Sequence, residues 1–219
     1  TVIAKYQPDA IIHTAAMTNV DTCHEQRELA LQLNVAAVDT LVKLCEEHHI
    51  QLIHLSTDFI FDGENGPYDE LAAPNPVSYY GETKLKAEEL IKKSNAKWVI
   101  LRTILVYGIV SDMSRSNIVL WAKGALAKGE PINVVNDQVG SPTYAADLAK
   151  AMIEILNSPE WIPGIYNYSN EGEISWQGQS TAKNPEAFRA DLAYLGHQLA
   201  LKDDLTPLEN LQADAAVAG

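Results

Sequence analysis

Apolar positions along the chain fall into short continuous runs and longer, helically spaced stretches, and the two kinds alternate. The first residues lead straight into DAIIHTAA (Asp9 to Ala16), bounded by Pro8 and a polar Met17-Thr18-Asn19 stretch. That run predicts a strand buried on both faces. A helix start follows: Thr22 and Glu25 have capping-box spacing, with Asp21 a competing N-cap. Apolar residues then recur with helical period at Leu29, Leu33, Ala36, Ala37, Leu41, Leu44 and Cys45, and the helix ends near residues 46–49. Ile50 to Ser56 (IQLIHLS) reads as a second strand. Beyond a Gly-, Pro- and acid-rich loop over 62–76, a helix begins near Tyr79 and carries Leu85, Ala87, Leu90 and Ile91. Trp98 to Tyr107 reads as a third strand, closed by Gly108. A helix over about 118–127, a short strand over 132–135, a helix over about 145–156 and a last strand over 164–168 complete the alternation.

Strands alternating with helices predict an α/β fold: βαβ units, a doubly wound parallel sheet and helices on both faces. In such a sheet a ligand sits at the carboxyl ends of the strands. From Gln177 onward the character changes. Asn184-Pro185 forms an N-cap and N1 pair, and Phe188, Leu192, Leu195 and Leu199 make one apolar stripe. The segment reads as one helix followed by a frayed end.

Composition narrows the partners. The 219 residues hold 16 Lys+Arg against 29 Asp+Glu, a formal charge of −13. That balance argues against nucleic-acid binding and against an anionic membrane surface. No stretch approaches the roughly 20 apolar residues of a membrane span. With no basic and apolar leader pattern, the expectation is a soluble, cytoplasmic chain. Cys23 and Cys45 are too few for a disulfide scaffold. His48, His49 and Cys45 read as a solvated helix end, so no metal site is expected. His13 and His54 lie in apolar runs and read as satisfied core histidines. Arg102, in a buried strand, requires a partner: an acidic neighbour or a substrate phosphate.

The chemistry concentrates in Ser56-Thr57-Asp58 and Tyr80-x-x-x-Lys84. Four residues at about 100° each stack Tyr80 and Lys84 one turn apart on one helical face. An ammonium so placed depresses a phenol from its usual pKa of about 10, which suits proton exchange with a substrate oxygen near neutral pH. The hydroxyl of Thr57 or of Ser56 can hold the same oxygen. Tyr79 is five residues from Lys84 and points away. The Tyr-Lys spacing alone is weak; its place after a strand ending in Ser-Thr-Asp strengthens it.

These residues resemble a known family. STDFIFDG (Ser56–Gly63), PYDE (Pro67–Glu70), NPVSYYGETKLKAEE (Asn75–Glu89) and LRTILVYG (Leu101–Gly108) are similar to the extended short-chain dehydrogenase/reductases, and more narrowly to the dTDP-4-dehydrorhamnose reductase branch. HTAAMTNVD, LNVAAV and NDQVGSPTYAADLA continue the likeness, which covers about residues 8–176. It implies a Rossmann-like fold lacking its first βαβ segment, with the glycine-rich turn placed upstream of Thr1. Residues 1–176 would be a partial NAD(P)-binding domain with substrate-side elements, and 177–219 a divergent tail. Leu105 stands where the family often has Trp.

The implied activity is reduction, by NADPH or NADH, of the C4 ketone of a nucleotide-linked 4-keto-6-deoxy sugar. The resemblance makes Tyr80 the proton donor. It makes Lys84 the residue that lowers the tyrosine's pKa and holds the nicotinamide ribose, and Thr57 the hydroxyl that orients the carbonyl. Ala15, Ala16 and Ser56 fall at cofactor positions. Asp58, Phe59, Asn117 and Gln138 are candidates for the substrate pocket. The alternatives are an epimerase or dehydratase on the same fold, or a non-catalytic binding or regulatory subunit similar to that of methionine adenosyltransferase. Helices on such sheets often pair, and the sequence leaves monomer and homodimer open.

Overall fold

The structure is a computed structural model that describes residues 2–108, 117–131, 139–170 and 174–175. The predicted strand 132–135, Gln138, and the tail from 176 onward lie outside the described residues. The elements run α1 (Val2–Tyr6), β1 (Ala10–His13), α2 (Val20–Glu25), α3 (Arg27–Leu31), a π-helical turn (Gln32–Ala36), α4 (Ala37–His48) and β2 (Gln51–Thr57). A 3-10 turn (Asp58–Ile60), α5 (Tyr79–Lys92), β3 (Lys97–Thr103), β4 (Val106–Tyr107) and α6 (Ile118–Ala127) follow. β5 (Val139–Gly140), β6 (Thr143–Tyr144), α7 (Ala145–Asn157), β7 (Gly164–Asn167) and β8 (Ile174–Ser175) complete the order.

The chain forms two compact units. The first, residues 1–106 with 141–172, is built on a four-stranded parallel sheet in the order β1-β2-β3-β7. Its register pairs Ile11 with Leu52, His13 with His54, His54 with Ile100, and Ser56 with Arg102. The fold is the Rossmann-like parallel sheet that the alternation predicts. Alternation along each strand divides the core in two. On one face Val38, Val42 and Cys45 of α4 and Ala87 and Ile91 of α5 pack on Leu52 and Ile100. On the other, Leu148 and Met152 of α7 pack on Ile53, Val99 and Leu101. The second unit, residues 107–140 with 173–219, contains α6 and an antiparallel β5–β8 pair. Among the described residues no helix is long and apolar enough to cross a membrane.

Several local expectations change. A short helix, α1, precedes the first strand, and that strand ends at His13, which leaves residues 14–19 irregular. β1 is the end strand of the four, and Ile12 is exposed, so it is not buried on both faces. The cap of α2 is Asn19, whose Oδ1 accepts from the Thr22 N–H and hydroxyl, both at 2.8 Å. The expected single helix over 22–46 is broken at Gln26 (φ −116°, ψ 57°) and again takes a π turn at 32–36. The third strand is likewise interrupted, because Leu105 adopts φ +43° between β3 and β4.

Candidate active site

β2 delivers Thr57 to the carboxyl end of the sheet as its last residue, and the 3-10 turn starts there. The Thr57 Oγ1 accepts the Phe59 N–H at 3.2 Å, capping the turn, and donates to Asp58 Oδ1 at 3.0 Å. α5 begins at Tyr79 because Ser78 caps it, its Oγ accepting the Gly81 N–H at 3.1 Å. Gly81 lets that first turn lie against residues 58–60. A Cβ there would stand 2.1 Å from the Phe59 carbonyl oxygen, so only glycine fits. Tyr80 is thereby buried beside Thr57, with the Phe59 ring edge-on at 5.7 Å between centroids. Cys23, Ala30, Met17 and Val20 enclose its other side.

The predicted pairing of Tyr80 and Lys84 holds as geometry on one buried helical face, but not as electrostatics. Burial pushes the Tyr80 phenol up to about 12; a hydrogen bond with Thr57 opposes this, while the charges of Asp58 and Cys23 add to it. The expected depression of the phenol by Lys84 is therefore corrected. The Lys84 ammonium is turned to the strand: it donates to the Leu55 carbonyl at 2.7 Å and meets His54 Nε2 at 3.1 Å. Only 3% of Lys84 is exposed, and that desolvation brings its pKa down to about 8 against the opposing pull of Glu88.

Ser56 is corrected as well. Its hydroxyl donates to Glu88 Oε1 at 2.5 Å, inside the core, and so is committed to α5. Glu88 also takes a two-pronged ion pair from Arg102, Nε to Oε1 at 3.1 Å and Nη2 to Oε2 at 2.8 Å, which gives Arg102 its acidic neighbour. His13 and His54 satisfy each other, Nδ1 to Nδ1 at 2.9 Å. Asp58 sits at the mouth of the turn with its carboxyl raised by burial, and Phe59 is 42% exposed. Ala15 and Ala16 follow β1 in irregular backbone, Ala15 exposed. Asn117 lies in the second unit, where its Oδ1 accepts the Leu120 N–H at 3.0 Å and its Nδ2 donates to the Gly108 carbonyl at 3.0 Å.

Sequence reasoning missed three residues that shape this site. Glu88 continues the stripe of Tyr80 and Lys84 at the same spacing of four, a legible signal that the apolar Leu85 and Leu90 obscured. Gly81 carries no local signal, since its reason is a non-local carbonyl. Asn34, in the π turn, accepts the Met17 N–H at 2.8 Å and donates to the Met17 carbonyl and to Thr83 Oγ1, each at 3.0 Å. Thr83 in turn donates to the Tyr80 carbonyl at 2.8 Å, so Asn34 ties the loop after β1 to the first turns of α5. A π turn at such a place fits the general association of that irregularity with functional sites.

The RmlD substrate binding domain matches residues 1–191, past Trp176. The spore coat polysaccharide biosynthesis protein SpsK of Bacillus subtilis is 37% identical over 180 residues, 81% of this chain and 60% of that protein. The methionine adenosyltransferase 2 subunit beta of Xenopus tropicalis is 32% identical over 197 residues, 88% of this chain and 58% of that protein. Among solved structures, dTDP-4-dehydrorhamnose reductase from Bacillus anthracis in complex with NADP superposes with a TM-score of 0.76 at 31% identity. That match covers 89% of this chain and 65% of the other. The chain thus spans about three-fifths of the length of the curated relatives it matches.

Proposed function

Because the chain belongs to the RmlD substrate binding domain family, we propose that it carries the catalytic residues of an NAD(P)H-dependent reductase. The substrate would be the C4 ketone of a nucleotide-linked 4-keto-6-deoxy sugar. The observation that carries the reading is the buried Thr57–Tyr80 contact at the carboxyl end of β2, with the Lys84 ammonium on the same helical face. The Bacillus anthracis neighbour, named dTDP-4-dehydrorhamnose reductase and crystallised with NADP, supports NADPH as the donor, with NADH the alternative.

The residues present fit the nicotinamide end of such a cofactor. Lys84 uses two of its three N–H donors on Leu55 and His54, and one remains for a ribose hydroxyl. Ala15, exposed directly after β1, has no bulk to hold a dinucleotide off. The bound cofactor supplies the hydride. Tyr80, kept in its O–H form at neutral pH by burial, gives its proton to the carbonyl oxygen. Thr57 orients that oxygen by redirecting the hydroxyl it otherwise gives to Asp58. Lys84, turned to the strand and without effect on the phenol, serves this reaction by holding the ribose rather than by tuning Tyr80. Asp58 and the half-exposed Phe59 border the place where the sugar would lie; for Asn117 and Gln138 a part in sugar binding rests on the resemblance alone.

Tyr80→Phe in the whole protein tests this. Loss of the general acid is expected to cut ketone reduction by about 10²–10⁴-fold, with NADPH binding and thermal midpoint kept. Undiminished turnover would end the reading. A second reading, a non-catalytic regulatory subunit, is favoured by the likeness to methionine adenosyltransferase 2 subunit beta. It predicts no turnover by the wild-type protein with NADPH and a nucleotide-linked 4-keto sugar.

A further inference from the structure

The helix face that carries Tyr80 and Lys84 meets two histidines that neither the sequence motif nor the proposed reaction uses. His54, in the middle of β2, has 0% exposure, and its Nε2 lies 3.1 Å from the Lys84 ammonium. Its Nδ1 lies 2.9 Å from His13 Nδ1, and the two rings stack at 5.1 Å between centroids. The protons of this chain can be assigned by elimination. An ammonium has only donors, so His54 Nε2 must be the acceptor and carry no proton. The neutral ring then holds its proton on Nδ1 and donates to His13 Nδ1, which is left bare. His13, half-buried on β1, keeps its own proton on Nε2. One orientation of three residues satisfies every contact.

We propose that His54, backed by His13, is a positioning residue for Lys84: it fixes the ammonium beside the Leu55 carbonyl so that its third N–H is presented to a ligand at the carboxyl end of β2. The proposal rests on the catalytic reading of Lys84 given above. The device works only while both rings are neutral. A proton on His54 Nε2 would face the ammonium donor to donor, and a proton on His13 Nδ1 would face the N–H of His54. The charge facing the pair favours the neutral forms: the Lys84 ammonium of α5 meets His54 and acts on both rings, while Glu88, one turn further along that helix, is paired with Arg102. Burial and Lys84 together hold both imidazoles below their ordinary pKa, His54 well below it. The Leu55 carbonyl and His54 thus hold the ammonium in one place, which is preorganisation of the kind that electrostatic catalysis uses.

Three measurements on the whole protein test the proposal. Nitrogen-15 NMR of the wild-type histidines is expected to show His54 protonated at Nδ1 and bare at Nε2 from pH 5.5 to 8. The opposite tautomer, or a His54 that titrates near pH 6.5, would overturn it. Next, the ε-carbon resonance of Lys84 is followed against pH in the absence of cofactor. His54→Leu removes the acceptor and is expected to lower proton affinity at Lys84 by about tenfold, one pKa unit. His54→Gln, whose amide oxygen can reach the same place, is expected to restore the titration to within about threefold. An unmoved Lys84 titration in a folded Leu variant overturns the proposal; where that variant does not fold, the wild-type tautomer and the Gln variant decide. Finally, ketone reduction is expected to lose on the order of tenfold in kcat in His54→Leu with little change in KM for the sugar, the loss of one hydrogen bond to a charged group. His54→Gln should recover most of it. Should Tyr80→Phe keep full turnover while Lys84 still follows His54, the catalytic reading fails and the positioning contact stands.

Discussion

The two faces of the central sheet are made from the same strands yet do opposite work. The face under α7 buries no charged side chain in its core: Ile53, Val99 and Leu101 pack against Leu148 and Met152. The face under α4 and α5 begins the same way, with Leu52 and Ile100, but its carboxyl half buries His54, Ser56, Lys84, Glu88 and Arg102. Burying so many polar groups is unfavourable unless each is paired. Here they pair in two sets, Lys84–His54–His13 and Ser56–Glu88–Arg102, and the sets share one helical stripe. The comparison teaches that this fold confines its buried charge to one face of the sheet. One face supplies apolar cohesion; the other gives up part of it to hold an ammonium and a carboxylate where water is excluded.

Breaking the second polar set has the largest expected effect. Glu88→Ala leaves the Arg102 guanidinium buried without its carboxylate, with Ser56 also unpartnered, and should cost about 3–5 kcal/mol in denaturant unfolding. A cost below about 1 kcal/mol would mean that water enters this face and that the contrast between the faces is weak. On the apolar face, Leu148→Ala removes a packed side chain and should cost about 3 kcal/mol. That loss should be the same at pH 6 and pH 9, because the phenol of Tyr168, which packs on this cluster, is raised above its ordinary value by burial and by Asp147 and Glu154 and stays protonated; a strong pH dependence would tie the two faces together.

The smallest effect is a slope. Folded Lys84 gives up its proton at about 8, whereas an unfolded lysine keeps it to about 10.4. Between those values the unfolded chain binds more protons, so stability rises with pH. The wild type should therefore gain on Lys84→Met by about 1 kcal/mol per pH unit across that window, read by unfolding at pH 8, 9 and 10. The raised phenol of Tyr80 is common to both proteins and cancels in the difference. A flat difference would remove the buried ammonium from the account.

Much of this was legible in the sequence. The apolar runs gave β2, β3 and β7 to within a few residues, and helical periods located α5, α6 and α7. Spacing and a place at a strand end single out Tyr80, Lys84 and Thr57, and the structure sets Tyr80 against Thr57 with Lys84 on the same helical face. The residues that escaped did so for one reason: their partners are far away in sequence. Ser56 reads as a free hydroxyl until Glu88, 32 positions on, is seen to claim it. Gly81 reads as a weak helix residue until the Phe59 carbonyl is placed against it.

The sequence by itself determined the alternation of strands and helices, the acidic balance, and which residue types stand at the carboxyl end of β2 and the start of α5. Those follow from local periodicity, which a strand or helix imposes on its own residues. Only the tertiary structure decided what each of those side chains faces. The turn of Lys84 toward His54 and Leu55, the rise of the Tyr80 phenol to about 12 and the commitment of Ser56 to Glu88 all depend on burial and on neighbours from other elements. Desolvation and hydrogen-bond partnership are properties of an assembled interior, and no pattern along a single segment contains them.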